Sequence, residues 1–152
     1  MLHQDPRSLA SLSDEYETPV SLYLELCEKY GITPELDVAA DYSNTKAPYF
    51  YYKQDSALNK KWLQDVWCNP PHTLTKQFAI KADQEWSENN INILMIVPAN
   101  AICAKYFNEI LENNHATYHR INGRPVFLEN GRPCSKPARN SYFVVIWREV
   151  QR

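Results

Sequence analysis

With 152 residues, 44% of them hydrophobic and four Trp and ten Tyr among them, the chain has enough apolar mass for one domain around one core, which argues against disorder. No apolar run approaches the roughly 20 residues that span a bilayer, and the start MLHQDPRSLASLSDEY has neither the basic end nor the apolar middle of a signal peptide, so a soluble, cytoplasmic protein is expected. The net charge of −2 conceals an uneven split, with eight Lys/Arg against fourteen Asp/Glu in residues 1–104 and eight against four in residues 105–152.

In chain order, residues 1–13 read as an N-terminal arm. Thr18-Pro19 then resembles a helix N-cap followed by proline in the first turn, and Leu22, Leu26 and Tyr30 recur at four-residue spacing. This predicts a helix over 19–30 closed by Gly31. Glu35–Ala40 is a short strand, DYSNTKAP a loop, and Tyr49–Lys53 a second strand. The stretch VWCNPPH follows, a buried strand Val66–Cys68 running into Asn69-Pro70-Pro71-His72. Proline fixes its own φ and restricts the residue before it, so Asn69 and Pro70 are held extended and the carbonyls there have little freedom. Such a strand delivers one amide and one fixed carbonyl at its carboxyl end, where open α/β sheets bind ligands. On its own, a Pro-Pro pair equally well just stops a strand.

Beyond the prolines, Leu74, Phe78, Ala82 and Trp86 line one face of a helix, and Ile91–Val97 is a nearly continuous apolar strand bounded by Pro98. Ile102, Tyr106, Ile110 and Leu111 line a further helix. His115–Ile121, Pro125–Leu128 and Ser141–Trp147 read as strands joined by loops around Gly123 and Gly131. The alternation predicts an α/β fold: a mostly parallel sheet flanked by helices, with at least one antiparallel strand from the C-terminal part. No internal repeat or second domain is evident.

Several chemistries can be weighed from residue types. Cys27, Cys68, Cys103 and Cys134 stand singly, which fits reduced thiols better than a disulfide framework or a zinc site. His115 and His119 are spaced to share a helical face, but no nearby acid or Cys completes a metal set. Arg120, Arg124, Arg132, Lys136 and Arg139 form a basic segment that suits either phosphate contacts or a solvated loop. Asp37 and Asn69 are expected at or near two strand ends facing one crevice. With only three Gly, no glycine-rich phosphate cradle can be built, which disfavours a dinucleotide or nucleoside triphosphate but leaves a ribose-bearing cofactor without phosphates.

Asn69-Pro70-Pro71 followed by a ring residue resembles the [DNS]-P-P-[YFW] motif of amino-methyltransferases dependent on S-adenosylmethionine. The series Glu15-Tyr16-Glu17-Thr18-Pro19, Leu36-Asp37-Val38-Ala39-Ala40, Val66–Pro71, Val97-Pro98-Ala99 and Gly123-Arg124-Pro125-Val126-Phe127 is similar, in order and spacing, to the small DNA N-6-adenine methyltransferases of the phage Dam type, over about residues 14–148. The resemblance implies a single Rossmann-like class I methyltransferase domain over 14–152, S-adenosylmethionine as cofactor, DNA as partner, and a bacterial or phage-infected cell as setting. Only 28 residues lie between Ala40 and Asn69, so the domain must be truncated there.

By the same resemblance, the Asn69 side-chain oxygen and the Pro70 carbonyl draw on the two hydrogens of adenine's exocyclic amine, Pro71 keeps the loop rigid, and Cys68 packs rather than reacts. His72 departs from the family's Tyr, Phe or Trp, whose ring stacks on the extruded base. Asp37, Ala39 and Ala40 are implied near the methionine or ribose part of the cofactor, beside Asn69. Thr18 and Pro19 are implied over its methionine end, and Asp55 at its adenine amino group. The basic residues Arg120, Arg124, Arg132, Lys136 and Arg139 would grip phosphates around a flipped base, with a homodimer as one way to enlarge the grip. Two alternatives stay open: an amino-methyltransferase acting on protein glutamine or RNA, and a catalytically degenerate methyltransferase fold that only binds DNA.

Overall fold

A computed structural model describes residues 17–40, 44–52, 56–129, 131–134 and 141–151. The arm expected over 1–13, together with Asp55, Lys136 and Arg139, lies outside the described residues. In chain order come helix α1 (Val20–Tyr30), strands β1 (Leu36–Ala40), β2 (Tyr49–Tyr52) and β3 (Val66–Cys68), helix α2 (Thr75–Asn89), strand β4 (Ile93–Pro98), helices α3 (Ala99–Ile102) and α4 (Lys105–Glu112), and strands β5 (Thr117–Arg120), β6 (Leu128–Glu129), β7 (Arg132–Pro133) and β8 (Tyr142–Trp147).

Six strands form one sheet in the order β2-β1-β3-β4-β8-β5. The first four are parallel, and β8 lies antiparallel between β4 and β5, so β5 again points the same way as β4. The antiparallel strand therefore sits inside the sheet, against its most buried member, and is not its edge. Ile93–Val97 are each at most 1% exposed, as a central strand covered on both faces must be.

Side-chain alternation sorts the core into two layers. Val66, Cys68, Ile93, Met95, Val97, Val145 and Trp147 face Phe78, Ala79 and Ala82 of α2 and Phe107 and Ile110 of α4. Trp67, Leu94, Ile96, Tyr142, Val144 and Ile146 face Tyr23 and Leu26 of α1, together with Ile32, Ile121 and Phe127. Each such large side chain, once buried, contributes about 1.5–3 kcal/mol from removal of apolar surface.

Local details differ from the expectations in physically readable ways. Gly31 does end α1, at φ 67°, a left-handed conformation that favours glycine. Thr18, however, is not the cap: Pro19 occupies that position and no side chain caps the helix. Leu74 belongs to a 3-10 turn, His72–Leu74, that precedes α2, and it is exposed, because the turn ends before the helical face begins. The helix expected through Ile102–Leu111 is two, broken at Cys103 and Ala104, and Phe107 joins Ile110 as its buried anchor. His115 and His119 do not share a helix: His119 lies on β5, where it sits 5.0 Å from the Tyr30 ring, and His115 pairs with Asp83 at 3.1 Å. Of the expected strand Pro125–Leu128 only Leu128 lies in a strand, in the small β6–β7 hairpin, which is separate from the six-stranded sheet.

The expected truncation is present. Between Ala40 and Asn69 the described residues contain two short strands, β2 and β3, one 3-10 turn, Ala57–Asn59, and no α-helix. Trp62, in the short segment that leads into β3, is fully buried, and its indole donates to the Ala57 carbonyl at 3.0 Å.

Candidate functional site

β3 delivers Asn69 at the carboxyl edge of the sheet. Trp67 faces α1 and packs edge-on against Tyr23, with ring centroids 5.0 Å apart. Two residues on, pleating turns Asn69 to the same face, toward the chain entering α1. There the Asn69 Nδ2 donates to the Thr18 hydroxyl at 3.0 Å, across 51 residues of sequence, and Thr18 is only 2% exposed. Pro70 and Pro71 carry the backbone onward, Pro71 with φ −53° and ψ 136°. The chain then tightens into the 3-10 turn, whose Leu74 N–H donates to the Pro71 carbonyl at 2.9 Å and whose His72 carbonyl accepts from the Thr75 hydroxyl at 3.0 Å.

His72 is held from the opposite side. Its Nε2 lies 3.1 Å from the hydroxyl of Tyr142, the first residue of β8. The Tyr142 ring in turn packs on Phe127 at 4.8 Å between centroids, and both rings are 4% exposed. Immediately after Phe127, Leu128 exchanges two backbone hydrogen bonds with Glu17, each 2.8 Å. Segments that are scattered in sequence thus close one ring of contacts: Glu17-Thr18, Asn69–His72, Phe127-Leu128 and Tyr142.

Asp37 is 3% exposed and sits in β1 level with Trp67, three positions before Ala40, the last residue of the strand, at or near whose end it was expected. Register partners point to the same face, so Asp37 shares the α1 side with Trp67 and Asn69. Its carboxylate accepts from the Ala39 N–H at 3.1 Å and the Lys46 N–H at 2.9 Å, which ties Lys46 to the strand. Ala39 is half-buried and Ala40 buried, so little side-chain bulk stands beside the carboxylate. The negative charge is felt nearby. Burial, reinforced by Asp37, pushes the Cys68 thiol well up. Burial, then Cys27, then Asp37 push the Tyr23 hydroxyl up. Cys68 therefore stays a protonated packing group at neutral pH, because a thiolate there would be both desolvated and repelled.

The basic segment meets the same edge of the molecule. Arg120 closes β5 level with Phe143, which in turn pairs with Val97 near the carboxyl end of β4. Ile121 donates to the Tyr142 carbonyl at 2.9 Å, and the exposed Arg124 lies between that anchor and Phe127. Arg132 is exposed on β7, in the hairpin tied to Glu17. Three of the five expected basic residues thus lie on segments that adjoin Tyr142, Phe127 and Leu128.

A separate cleft of about 310 Å³ lies between α2 and α4, where Ile80, Asp83, Tyr106, Glu109 and His115 are among its walls. It belongs to the other face of the sheet. Among the described residues no cluster of three His, Cys, Asp or Glu is placed to hold a metal.

Tyr142 was not legible as a site residue. All six residues of β8 are apolar or aromatic, so no polarity contrast marks its first hydroxyl; the one clue is a tyrosine at a strand start directly after the basic loop.

A model of the DNA N-6-adenine-methyltransferase (Dam) family matches residues 6–152. Comparison with curated protein sequences gave no significant match. Among solved structures, a candidate RNA methyltransferase of Pyrococcus horikoshii is similar in fold, with a TM-score of 0.55 at 13% identity, over 92% of this chain and 89% of that one. The chain belongs to the DNA N-6-adenine-methyltransferase (Dam) family.

Proposed function

We propose that this chain transfers a methyl group from S-adenosylmethionine to the exocyclic N6 amine of adenine in DNA. The observation that carries the reading is Asn69-Pro70-Pro71-His72 at the carboxyl end of a buried parallel strand, tethered at one end to Thr18 and at the other to Tyr142. Family membership supports adenine in DNA as the substrate.

The chemistry of the donor set suits the cofactor. A buried carboxylate at Asp37, beside small Ala39 and Ala40, fits a ligand that carries ammonium and sulfonium cations and no phosphate. Asp37, Ala39 and Ala40 would hold its methionine or ribose part next to Asn69, Thr18 and Pro19 would close over the methionine end, and Asp55 would accept from its adenine amino group. When bound, it supplies an electrophilic methyl group.

The protein's task is to make a poor nucleophile adequate. Adenine's N6 lone pair is delocalised into the ring, and two acceptors aimed at the two N–H bonds draw the nitrogen toward tetrahedral geometry. Asn69 Oδ1 and the Pro70 carbonyl are those acceptors, and a fixed polar group of this kind is typically worth about 10²–10³ in rate. Pro71 denies the loop the freedom to relax. Neither an amide nor a peptide carbonyl is basic enough to keep the proton that the amine loses, so it leaves to water. His72 presents its ring to the extruded base, a contact worth about 1–3 kcal/mol. Arg120, Arg124 and Arg132, with Lys136 and Arg139, grip the flanking phosphates while the base is out of the stack.

Radiolabelled cofactor offered in parallel with DNA, RNA and protein tests the reading. N6-methyladenine in DNA, lost in Asn69→Ala with the fold retained, is the expected result. Label confined to RNA or to protein would overturn the DNA assignment, and no transfer to any of them would leave only a binding role. Calorimetry should find one cofactor site per chain, weakened in Asp37→Ala.

A further inference from the structure

Residues 121–128 form an arch whose two feet both rest on Tyr142. The first foot is Ile121, buried, whose N–H donates to the Tyr142 carbonyl at 2.9 Å. The second is Phe127, buried against the Tyr142 ring, whose carbonyl accepts from the Cys134 N–H at 2.9 Å. Leu128, the next residue, is bonded to Glu17 in both directions. The Tyr142 hydroxyl lies beside His72 Nε2, so the arch is joined to the Asn69–His72 loop through a single side chain. Between the feet, Gly123 turns the chain at φ 69°, a conformation that favours glycine.

From that turn to the second foot burial alternates: Arg124 is exposed, Pro125 buried, Val126 exposed and Phe127 buried. A period of two sends successive side chains to opposite sides of an extended chain, so Pro125 and Phe127 anchor the segment inward while Arg124 and Val126 leave it outward together. An isolated exposed valine carries no message. Val126 differs in its setting: it is 39% exposed, stands beside a cation suited to phosphate, and sits on backbone tied down at both ends next to the loop that would receive the base. An adenine that swings out of a duplex leaves a gap in the stack, and apolar side chains inserted between base steps fill such gaps. A good wedge is compact, stiff and carried on a chain that does not yield. Val126 is β-branched, with little freedom at χ1, and Pro125 before it fixes its own φ. We propose that Val126 is the wedge that enters the duplex as the target adenine leaves it, with Arg124 on a phosphate alongside. This rests on the methyl-transfer reading above and adds that the fully paired duplex is what the arch recognises.

The test compares two substrates with the full chain: a fully paired duplex, and the same duplex lacking the base opposite the methylated adenine, so that this adenine is already unpaired. Val126→Ala should lower kcat/KM on the paired duplex about tenfold or more and on the unpaired one less than about threefold. Val126→Ile, which keeps a stiff apolar side chain, should retain most of the activity on both. Arg124→Ala should weaken both substrates about equally, as loss of a phosphate contact does. An equal loss on the two substrates in Val126→Ala, no loss on either, or a loss in Val126→Ile as large as in Val126→Ala would overturn the proposal; Val126→Thr, of nearly the same shape but polar, replaces the alanine variant if that one does not fold. 2-Aminopurine, an adenine analogue whose fluorescence rises when it leaves the stack, gives a readout that does not depend on methyl transfer. A duplex carrying it at adenine positions should brighten on binding the parent and brighten less with Val126→Ala. If the parent brightens this duplex, Val126→Ala does so less, and no DNA is methylated, the methyl-transfer reading falls and the wedge stands. If the parent methylates DNA and Val126→Ala matches it in both assays, the wedge alone falls. A parent that leaves the analogue stacked, or that does not bind duplex DNA, overturns the proposal as well.

Discussion

Tyr142 offers two separable perturbations of the loop. Tyr142→Phe deletes one hydroxyl, which lies 3.1 Å from His72 Nε2, and leaves the ring against Phe127. His72 is half-exposed, so water can take the lost partner's place, and the net cost to stability should be about 0.5–1.5 kcal/mol. The same loosening of the His72 ring should lower methyl transfer between about twofold and tenfold, since about 1.4 kcal/mol corresponds to one decade. Tyr142→Ala is a different experiment. It removes a side chain that is 4% exposed, packs on Phe127 and opens the β4–β8 ladder opposite Pro98, so it should cost about 3–5 kcal/mol and much of the cooperativity. Urea unfolding followed by Trp fluorescence, alongside initial rates of methyl transfer, distinguishes the two. Full activity in Tyr142→Phe, together with a clear activity loss in His72→Ala, would refute the idea that the hydroxyl sets the orientation of the imidazole.

Glu85 is 2% exposed on α2 and accepts from Lys81, from Asn89 and from the Trp62 backbone N–H, so Glu85→Ala should destabilise by about 3 kcal/mol in urea melts, because it leaves buried donors unpaired. Native alkylation at pH 8 should modify the exposed Cys103 and spare Cys68, whose buried thiol resists ionisation; mass spectrometry should detect Cys68 adducts only after denaturation. Tyr23 is raised in the folded protein by burial, Cys27 and Asp37, so the folded state favours its protonated form. That contribution is intact below the ordinary tyrosine range of about pH 10 and lost as the pH climbs above it, and alkaline melts of Tyr23→Phe should fall less steeply than the parent's. The triple change of Arg120, Arg124 and Arg132 to Ala should weaken DNA binding about equally across sequences and flatten its salt dependence, with cofactor affinity nearly unchanged; unaltered DNA affinity in fluorescence anisotropy would place the DNA on another face.

The sequence by itself determined the parts that rest on local physics. Continuous apolar runs mark strands buried on both faces, which is why Val66–Cys68 and Ile93–Val97 were legible as central and parallel. Backbone chemistry marked the Asn69–His72 loop, since two prolines and an amide mean much the same in any surroundings, and the left-handed stop at Gly31 follows from glycine alone. The short span between Ala40 and Asn69 was a matter of counting. What only the tertiary structure decided are the partners of side chains whose chemistry permits more than one. Thr18 carries a hydroxyl equally able to cap a helix or to hold an amide 51 residues away, and packing made the choice. Asp37 was readable as an acid at or near a strand end, but its depth in β1 and its bond to Lys46 depend on tertiary packing. Tyr142 sits in an unbroken apolar strand, where alternation carries no polar signal, and it became a neighbour of His72 only because β8 inserts antiparallel beside β4 and brings its first residue to the sheet's carboxyl edge. Periodicity acts over a few residues and registers in sequence; a hydrogen bond across 51 or 70 residues costs loop-closure entropy that only the assembled core repays, so it leaves no local trace.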